Sequence, residues 1–464
     1  MAWITAAWLT LSAFGLARAD DPPKPDATTG DPASFLKDVA PILVRNCVGC
    51  HNTRKSEGKY DLTSFEGLMH GGQTKDNVEP GDPEASRLVE LIRADGQPRM
   101  PYKQDPLPAD QVAKIARWIK QGAKFDGGDS KQDWVALLHK VTPVVVPESY
   151  PVAVPITAVA FSPDGTGVAS AGYHEVNLWN VGDGALARRL RGLPERVYDV
   201  AYSPDGRWLA TAGGDPGQYG AARLWVAEPG GGGKPVRDLV ESADSLFAVA
   251  FSPDSKLVAA GGADRAIRVW EVETGKLVAT IEDHADWVLD LAFSPDSKRL
   301  ASASRDKTSK VFDVVKRESL VTFPGHAEAV YAVTFAPDGK SVATGGSDNQ
   351  VRIWRPEEEG KQTRTIGGFG GAVFRVIYHP DGKQLIACSA DKTVRVFADG
   401  SQRLVLNGHA DWVYAVALSA DGKTLASGSW DGEVRLWDFA DGKPVRTILA
   451  APGLKPPGPQ AAAK

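Results

Sequence analysis

Val330-Tyr331-Ala332-Val333-Thr334-Phe335, then Ala336-Pro337-Asp338-Gly339, then Ser341-Val342-Ala343-Thr344-Gly345 is the stretch that decides the architecture. It reads as an apolar strand, a tight turn built on Pro, Asp and Gly, and a second strand. A third run ends in an aromatic residue, Trp354, and a fourth follows. The unit recurs along the chain. Its turn aspartates are Asp164, Asp205, Asp254, Asp296, Asp338, Asp381 and Asp421, and its closing aromatics are Trp179, Trp225, Trp270, Phe312, Trp354, Phe397 and Trp437. A repeat of about 40 to 49 residues with four strands in each of seven units predicts an all-β, seven-bladed propeller over residues 156–449. The longest interval, after Asp205, is accounted for by insertions at Asp215–Gly220 and Gly230–Gly233. Alternation along the first strand predicts Tyr331, Val333 and Phe335 on one large apolar face, with Val330, Ala332 and Thr334 on a smaller one that the neighbouring blade covers. Closure is open at this level. The last blade either completes itself with Pro444–Leu449 or borrows a strand from Val144–Val154.

Ahead of the repeats stands Cys47-Val48-Gly49-Cys50-His51, with two of the three cysteines in the chain. Cys-x-x-Cys-His is the pattern of c-type haem attachment. Two residues between the sulfurs let both thiols reach the vinyl groups on one porphyrin edge, and the adjoining imidazole becomes the proximal iron ligand. A zinc site would need a second ligand pair at suitable spacing, and a thioredoxin-like pair would need a βαβ context. The chain supplies neither. The third cysteine, Cys388, sits in a strand pattern and reads as a buried, inert thiol.

The surroundings of the motif read as a small, all-α unit over residues 31–127. Asp31 is placed as an N-cap with Pro32 at the first helical position, and Phe35, Val39, Leu43 and Val44 follow at helical spacing. Pro41 is expected to kink or restart that helix. A short helix is expected over Pro83–Arg93. A last one opens at Pro108-Ala109-Asp110, buries Val112, Ile115, Ala116 and Ile119, and stops at Gly122. Met100, just ahead of the last helix, is the expected sixth iron ligand. Met69 reads as a core side chain, and His70 is the lesser alternative.

The 464 residues carry a net charge of −5, which points away from nucleic acid and anionic membranes as partners. Residues 31–127 hold 14 basic and 14 acidic side chains, so strong electrostatic steering of a redox partner is not expected. Met1–Ala19 has an apolar run and an Ala-Arg-Ala ending, the pattern of a cleaved signal peptide. Export to the periplasm or cell envelope fits haem attachment, which takes place outside the cytoplasm. The mature chain has no run long enough for a membrane span. Residues 20–30 read as a flexible tether, 128–155 as a linker with an extended segment, and 450–464 as a disordered tail.

Two family resemblances rest on these residues. The N-terminal unit resembles the planctomycete-type cytochrome c domain through Val39-Ala40-Pro41-Ile42-Leu43, Cys47-Val48-Gly49-Cys50-His51, Gly71-Gly72, Pro80-Gly81-Asp82-Pro83, Met100-Pro101 and Trp118-Ile119. The resemblance implies a class I cytochrome c with one covalently attached haem c on Cys47 and Cys50, and His51 and Met100 axial. The repeats resemble the WD40 family. Gly325-His326 and Gly408-His409 match its Gly-His signature, and Trp437-Asp438 preserves its Trp-Asp pair. The resemblance implies structural networks at His326/Asp348/Trp354 and His409/Asp431/Trp437. Tyr173 and Tyr219 replace the corresponding aspartate in the first two repeats, which are therefore expected to be less regular.

The expectation for function is an exported mono-haem cytochrome that passes single electrons, its propeller docking it to a protein redox partner. The alternatives are a haem-based redox or gas-sensing scaffold and, less favoured, an enzyme with its active site in the propeller channel. No nucleophile–base pair or phosphate loop stands out, so no catalytic residue is expected. Two features of the propeller carry a choice. Arg223, Arg268, Lys310, Arg352, Arg395 and Arg435 each precede a closing aromatic by two, forming either an anionic docking ring or a structural feature of the repeat. Trp287 and Trp412 lie before first strands, where they either anchor a partner at one rim or pack between blades. Oligomeric state is not legible.

Overall fold

A computed structural model describes residues 32–52, 56–73, 77–134, 137–138, 146–227, 235–242 and 244–454. The signal-peptide and tether readings, the Asp31 cap and residues 455–464 of the tail lie outside these. No helix among the described residues is long and apolar enough to cross a membrane, which says nothing of a β-barrel.

The N-terminal unit is built from short helices, with two isolated β-bridges among the described residues. Ser34 begins the first helical stretch. Its hydroxyl accepts from the Lys37 N–H while its own N–H donates to Asp38. Helix therefore starts at Phe35, three residues beyond the Pro32 position read from sequence. The stretch passes from π (Phe35–Val39) to α1 (Ala40–Leu43) and back to π (Val44–Val48). Pro41, with no N–H, sits in α1, where the hydrogen-bond pattern changes as expected. α2 (Phe65–His70), where the sequence reading places no helix, is capped by the Ser64 hydroxyl. α3 (Arg87–Ile92) is shorter than expected because Pro83–Ser86 forms turns. α4 (Ala109–Lys120) buries Ile115 and Ile119 and adds Trp118, whose indole donates to the Lys124 carbonyl. Gly122, at φ +97°, takes the left-handed turn that ends it.

Phe35 is the hub of this core. Phe65, Trp118, Phe125 and Trp134 surround it at centroid distances of 5.2, 5.3, 5.5 and 5.3 Å. Trp134 is fully buried, its backbone N–H donates to the Thr63 carbonyl, and Leu138 joins the same cluster. The segment read as a linker from residue 128 thus packs back on the N-terminal unit through residue 138, because its tryptophan fills the aromatic core. The other end of that segment is held by the repeats. Val146 and Tyr150 form a small cluster with Ala451, the Tyr150 N–H donates to the Pro452 carbonyl, and Arg189 and Arg191 grip Glu148. Ala451, read as tail, is buried by the same contact, and Ala450, also read as tail, is buried in the core shared by blades 7 and 1.

The repeats form seven four-stranded antiparallel blades. Their inner strands, Ala158–Phe161, the C-terminal part of Leu186–Tyr202, Leu246–Phe251, Val288–Phe293, Val330–Phe335, Val373–Tyr378 and Val413–Leu418, follow one another in a closed ring. Blade 7 completes itself with Pro444–Leu449, so the ring closes without a borrowed strand. The Ile156 N–H donates to the Ser429 carbonyl across the seam. Blades 1 and 2 depart from the rest, as expected. Leu186–Tyr202 is one strand that is outermost in blade 1 and innermost in blade 2, so the two share a seven-stranded sheet.

One packing expectation is overturned. A β-bulge between Val330 and Ala332 removes Tyr331 from the alternation. Val330, Val333 and Phe335 share one inter-blade core, Ala332 faces another, and Tyr331 turns into the central channel.

Candidate haem site and the propeller channel

The Cys47–His51 motif closes the first helical stretch. The N–H groups of Cys50 and His51 both donate to the Cys47 carbonyl, at 3.1 Å each, so the motif is one tight turn. Residues three apart on such a turn are surface neighbours, which brings the two thiols to one side. The following chain holds the turn in place, Glu57 N–H bonding the Cys50 carbonyl and Leu62 N–H the His51 carbonyl. Both cysteines and His51 are half-buried, and the cysteines are thiols rather than a disulfide. Burial, reinforced by the neighbouring Cys50, pushes the Cys47 thiol up to about 12. The surroundings therefore suit neutral sulfur.

The His51 ring meets Tyr60 edge-on at 5.5 Å, and its Nδ1 is buried without a hydrogen-bond partner among the described residues. Tyr60 is buried and donates to the Leu68 carbonyl, and burial raises its hydroxyl above the ordinary tyrosine range. Cys47, Met69 and Met100 all abut the single core of this unit. Met69 lies on α2. Met100 follows α3, its N–H donating to the Leu91 carbonyl, and Pro101 behind it is buried. His70 is exposed at the end of α2.

These residues fit haem c. Two thiols share one turn, the first of them against the apolar core, an imidazole adjoins them, and a thioether packs on the same core. His51 Nδ1 is left without a hydrogen-bond partner among the described residues, while the ring packs edge-on against Tyr60. Sequence reasoning found the motif because attachment chemistry is local. It did not find Tyr60, which is distinguished only by the ring it touches.

In the propeller, the expected His409/Asp431/Trp437 network is complete. The His326/Asp348 pair forms without Trp354, whose buried indole has no hydrogen-bond partner among the described residues, and a third histidine joins them. His409 Nδ1 bonds Asp431 at 3.0 Å and its Nε2 meets Ser427 Oγ at 2.8 Å, where the Trp437 indole also donates at 2.8 Å. His326 bonds Asp348 and Thr344 likewise. His284, in blade 4, does the same with Asp306 and Ser302, although Asp283 precedes it where glycine stands in the other two. Burial alone would raise Asp431, but the hydrogen bonds from His409 and the backbone hold it below the ordinary carboxylate range. His409, Asp431 and Glu433 bring ligand-type atoms within 4.8 Å of one another. Both ring nitrogens are engaged there and Glu433 pairs with Arg435, so the group is structural.

The six basic residues before the closing aromatics are each ion-paired. Arg223 meets Asp238, Arg268 meets Asp264, Lys310 meets Asp283, Arg352 meets Asp348, Arg395 meets Asp391 and Arg435 meets Glu433, all within 2.9 Å. They are a feature of the repeat, not a docking ring. Cys388 is buried, and burial pushes its thiol up to about 12, in keeping with an inert side chain.

Trp287 and Trp412 lie at a rim of the channel. Trp287 stacks obliquely on Phe247 at 5.2 Å beneath Arg305, and Trp412 stands 6.1 Å from both Phe374 and Tyr414. Each remains more than a third exposed. Inside that rim the channel widens to a cavity of about 310 Å³. Beneath it Arg375 pairs with Asp199 and Asp290.

Comparison with known proteins places these observations. Seven segments, 150–180, 185–225, 233–271, 275–313, 317–355, 360–397 and 400–438, match the family described as "WD domain, G-beta repeat", together more than half of the chain. Residues 47–103, from the first cysteine of the motif to just past Met100, match the family described as "Planctomycete cytochrome C". Among curated proteins, short stretches are similar to "Small ribosomal subunit protein RACK1" of Glycine max, 56% identical over 43 residues, and to "Small ribosomal subunit protein RACK1y" of Oryza sativa subsp. japonica, 58% identical over 38 residues. These stretches cover 9% and 8% of this chain, and 13% and 11% of the relatives' own length.

Proposed function

From the premise that the chain belongs to the WD40-repeat family and carries a planctomycete-type cytochrome c domain ahead of its repeats, we propose that it is an exported one-haem electron-transfer protein whose propeller docks it to a protein redox partner. A cytochrome c family domain implies haem c. In this reading Cys47 and Cys50 would hold one such group through two thioethers, and His51 and Met100 would supply its iron ligands. The bound group supplies one-electron chemistry. The chain itself packs the His51 ring against Tyr60, keeps the Cys47 thiol against an apolar core, and builds that core around Phe35.

The observation that carries the reading is the single turn from Cys47 to His51, whose first thiol packs on the same core as Met100. Thioether ligation favours electron transfer over gas binding, since it fills the sixth position with a soft ligand. Export rests on the Met1–Ala19 pattern and on where c-type haem is attached. Docking rests on the repeats, whose family is shown by the seven matched segments.

Intact mass and visible spectroscopy test this together, on protein made with a haem-attachment system. The expected product has lost residues 1–19, carries the mass of one haem, and is low-spin. Met100→Ala should turn it high-spin and open to carbon monoxide, while Met69→Ala should not. Colourless protein without added mass would overturn the haem reading. An unchanged spectrum in Met100→Ala would overturn the sixth ligand.

A further inference from the structure

The inner strands of blades 2 to 7 each carry one β-bulge, and the bulged residues are Tyr198, Phe247, Leu289, Tyr331, Phe374 and Tyr414. A bulge leaves one residue out of the ladder and re-aims it. Here all six are re-aimed at the same place, the walls of the central cavity. Five of the six are aromatic. Tyr331 and Phe374 stand 5.4 Å apart, Phe374 stacks on Tyr414 at 4.4 Å, and Tyr198 meets Phe247 edge-on at 4.9 Å. The residues that flank each of them in the strand are buried in the blades, apart from Arg375. The cup is therefore a repeated, built feature of the ring.

Two guanidinium groups line it, and no carboxylate does among the described residues. They are not equivalent. Arg375 is satisfied from below by Asp199 at 3.1 Å and Asp290 at 2.9 Å. Arg196 is exposed at the wall and forms no ion pair among the described residues. An unspent guanidinium against aromatic walls is a complementary surface for a carboxylate on an apolar body. The fork geometry fits two carboxylate oxygens, and low-dielectric walls strengthen the pairing. The volume is at the small end of ligand sites, which are mostly aromatic and apolar with a few convergent polar groups.

We infer that this cavity is a binding site for an aromatic or similarly apolar carboxylate, held by Arg196 against the rings of Tyr331, Phe374 and Tyr414. The site deepens the reading of the propeller as a docking platform and rests on it, not on the haem. The same chemistry comes from a free organic acid or from an acidic side chain beside an aromatic one in a partner protein.

Calorimetric titration of the full, haem-loaded chain tests it, with 3-phenylpropionate as the free acid and a blocked Phe-Glu dipeptide as the side-chain form. The expected result is one-to-one binding of at least one of them, and none of the neutral 3-phenylpropionamide. Arg196→Gln should weaken binding by about tenfold or more. Leu289→Trp, which fills the cup, should abolish it, and Arg207→Gln on an exposed site elsewhere should leave it alone. Tighter binding of the acid assigns the site to a small molecule, and tighter binding of the dipeptide assigns it to a partner's segment. Equal affinity for the amide, an unaffected Arg196→Gln protein, or no binding by either probe would overturn the site. Because intact mass and the visible spectrum are read separately, that failure would leave the haem and electron-transfer reading standing.

Discussion

Arg375 reaches across the channel to Asp199, 176 positions away in sequence, with Nη2 3.1 Å from Oδ1. Its Nη1 holds Asp290 Oδ1 at 2.9 Å. The remaining oxygens of the two acids accept backbone N–H groups of Val249 and Val333, at 3.0 and 2.9 Å. One cation on blade 6 thereby ties blades 2 and 4 directly and blades 3 and 5 through their acids. Arg375→Met leaves two carboxylates buried with no counter-charge. We expect a loss of about 3–5 kcal/mol of unfolding free energy by denaturant titration. The triple replacement Asp199→Asn, Asp290→Asn, Arg375→Met should recover a large part of that loss, because it removes the stranded charge along with the pairing. A triple variant no better than Arg375→Met alone would show that the cost lies elsewhere.

The same triad sets a pH dependence. Burial raises Asp290 to about 6, with Arg375 opposing and Asp199 adding to the rise. Its value in the unfolded chain is about 3.9. Between those limits the native state binds more protons than the unfolded one, so stability falls as pH rises. The contribution is fully present below about pH 4 and is gone above about pH 6. A shift of about two units corresponds to roughly 3 kcal/mol. Carboxylates held low, such as Asp381 at about 2, act in the opposite sense at more acidic pH. The clean measurement is therefore a difference. From pH 4 to 6 the stability of Asp290→Asn, measured by denaturant titration, should fall less steeply than that of the parent chain, and parallel curves would refute the assignment.

Legibility in the sequence followed the range of each interaction. The seven turns were readable because Asp, Gly and Ser act within two or three residues, as where Ser294 Oγ bonds Asp296 in blade 4. Cys47, Cys50 and His51 were readable for the same reason. The bulges were not. Counting alternate residues put Tyr331 with Val333 and Phe335, and one extra residue in the strand sends it to the channel instead. Arg375 gave no signal either, since its partners are defined only once the ring has closed. Trp134 was lost to its setting, a lone tryptophan behind a Gly- and Asp-rich run that looked like the end of a domain.

The networks of blades 7 and 4 differ by one donor, which makes them a matched pair. In blade 7, Ser427 Oγ serves both His409 and the Trp437 indole. In blade 4, Ser302 Oγ serves His284, and the aromatic at the tryptophan place is Phe312, which has no donor. Ser427→Ala orphans two buried groups and Ser302→Ala orphans one. At about 1–3 kcal/mol for each buried group left unpaired, the first substitution should cost about twice the second in chemical denaturation. Equal costs would show that the indole finds another acceptor.

Trp134 marks how far the haem-bearing unit extends. Its ring is fully buried 5.3 Å from Phe35, and Phe35 also contacts Phe65, Trp118 and Phe125. Trp134→Ala removes one wall of that box and should cost about 3–5 kcal/mol. The cost should fall on the N-terminal unit alone, because among the described residues Trp134 packs on and bonds to that unit. Followed by the visible haem spectrum, the unfolding midpoint of Trp134→Ala should drop, while the β-sheet signal of the propeller should melt where it does in the parent chain. The same logic applies to the backbone. Residues 130–134 bond to Thr63 and Glu66 at the N-terminal end of α2, and Ser64 pairs with Asp133 as an isolated bridge. A chain ended after Gly127 would lose those bonds and the tryptophan together, and one ended after Leu138 would keep both. The longer fragment should hold haem with the spectrum of the whole protein, and the shorter should be heat-labile or fail to accumulate. Equal stability of the two would mean that Trp134 fills space without supporting the core.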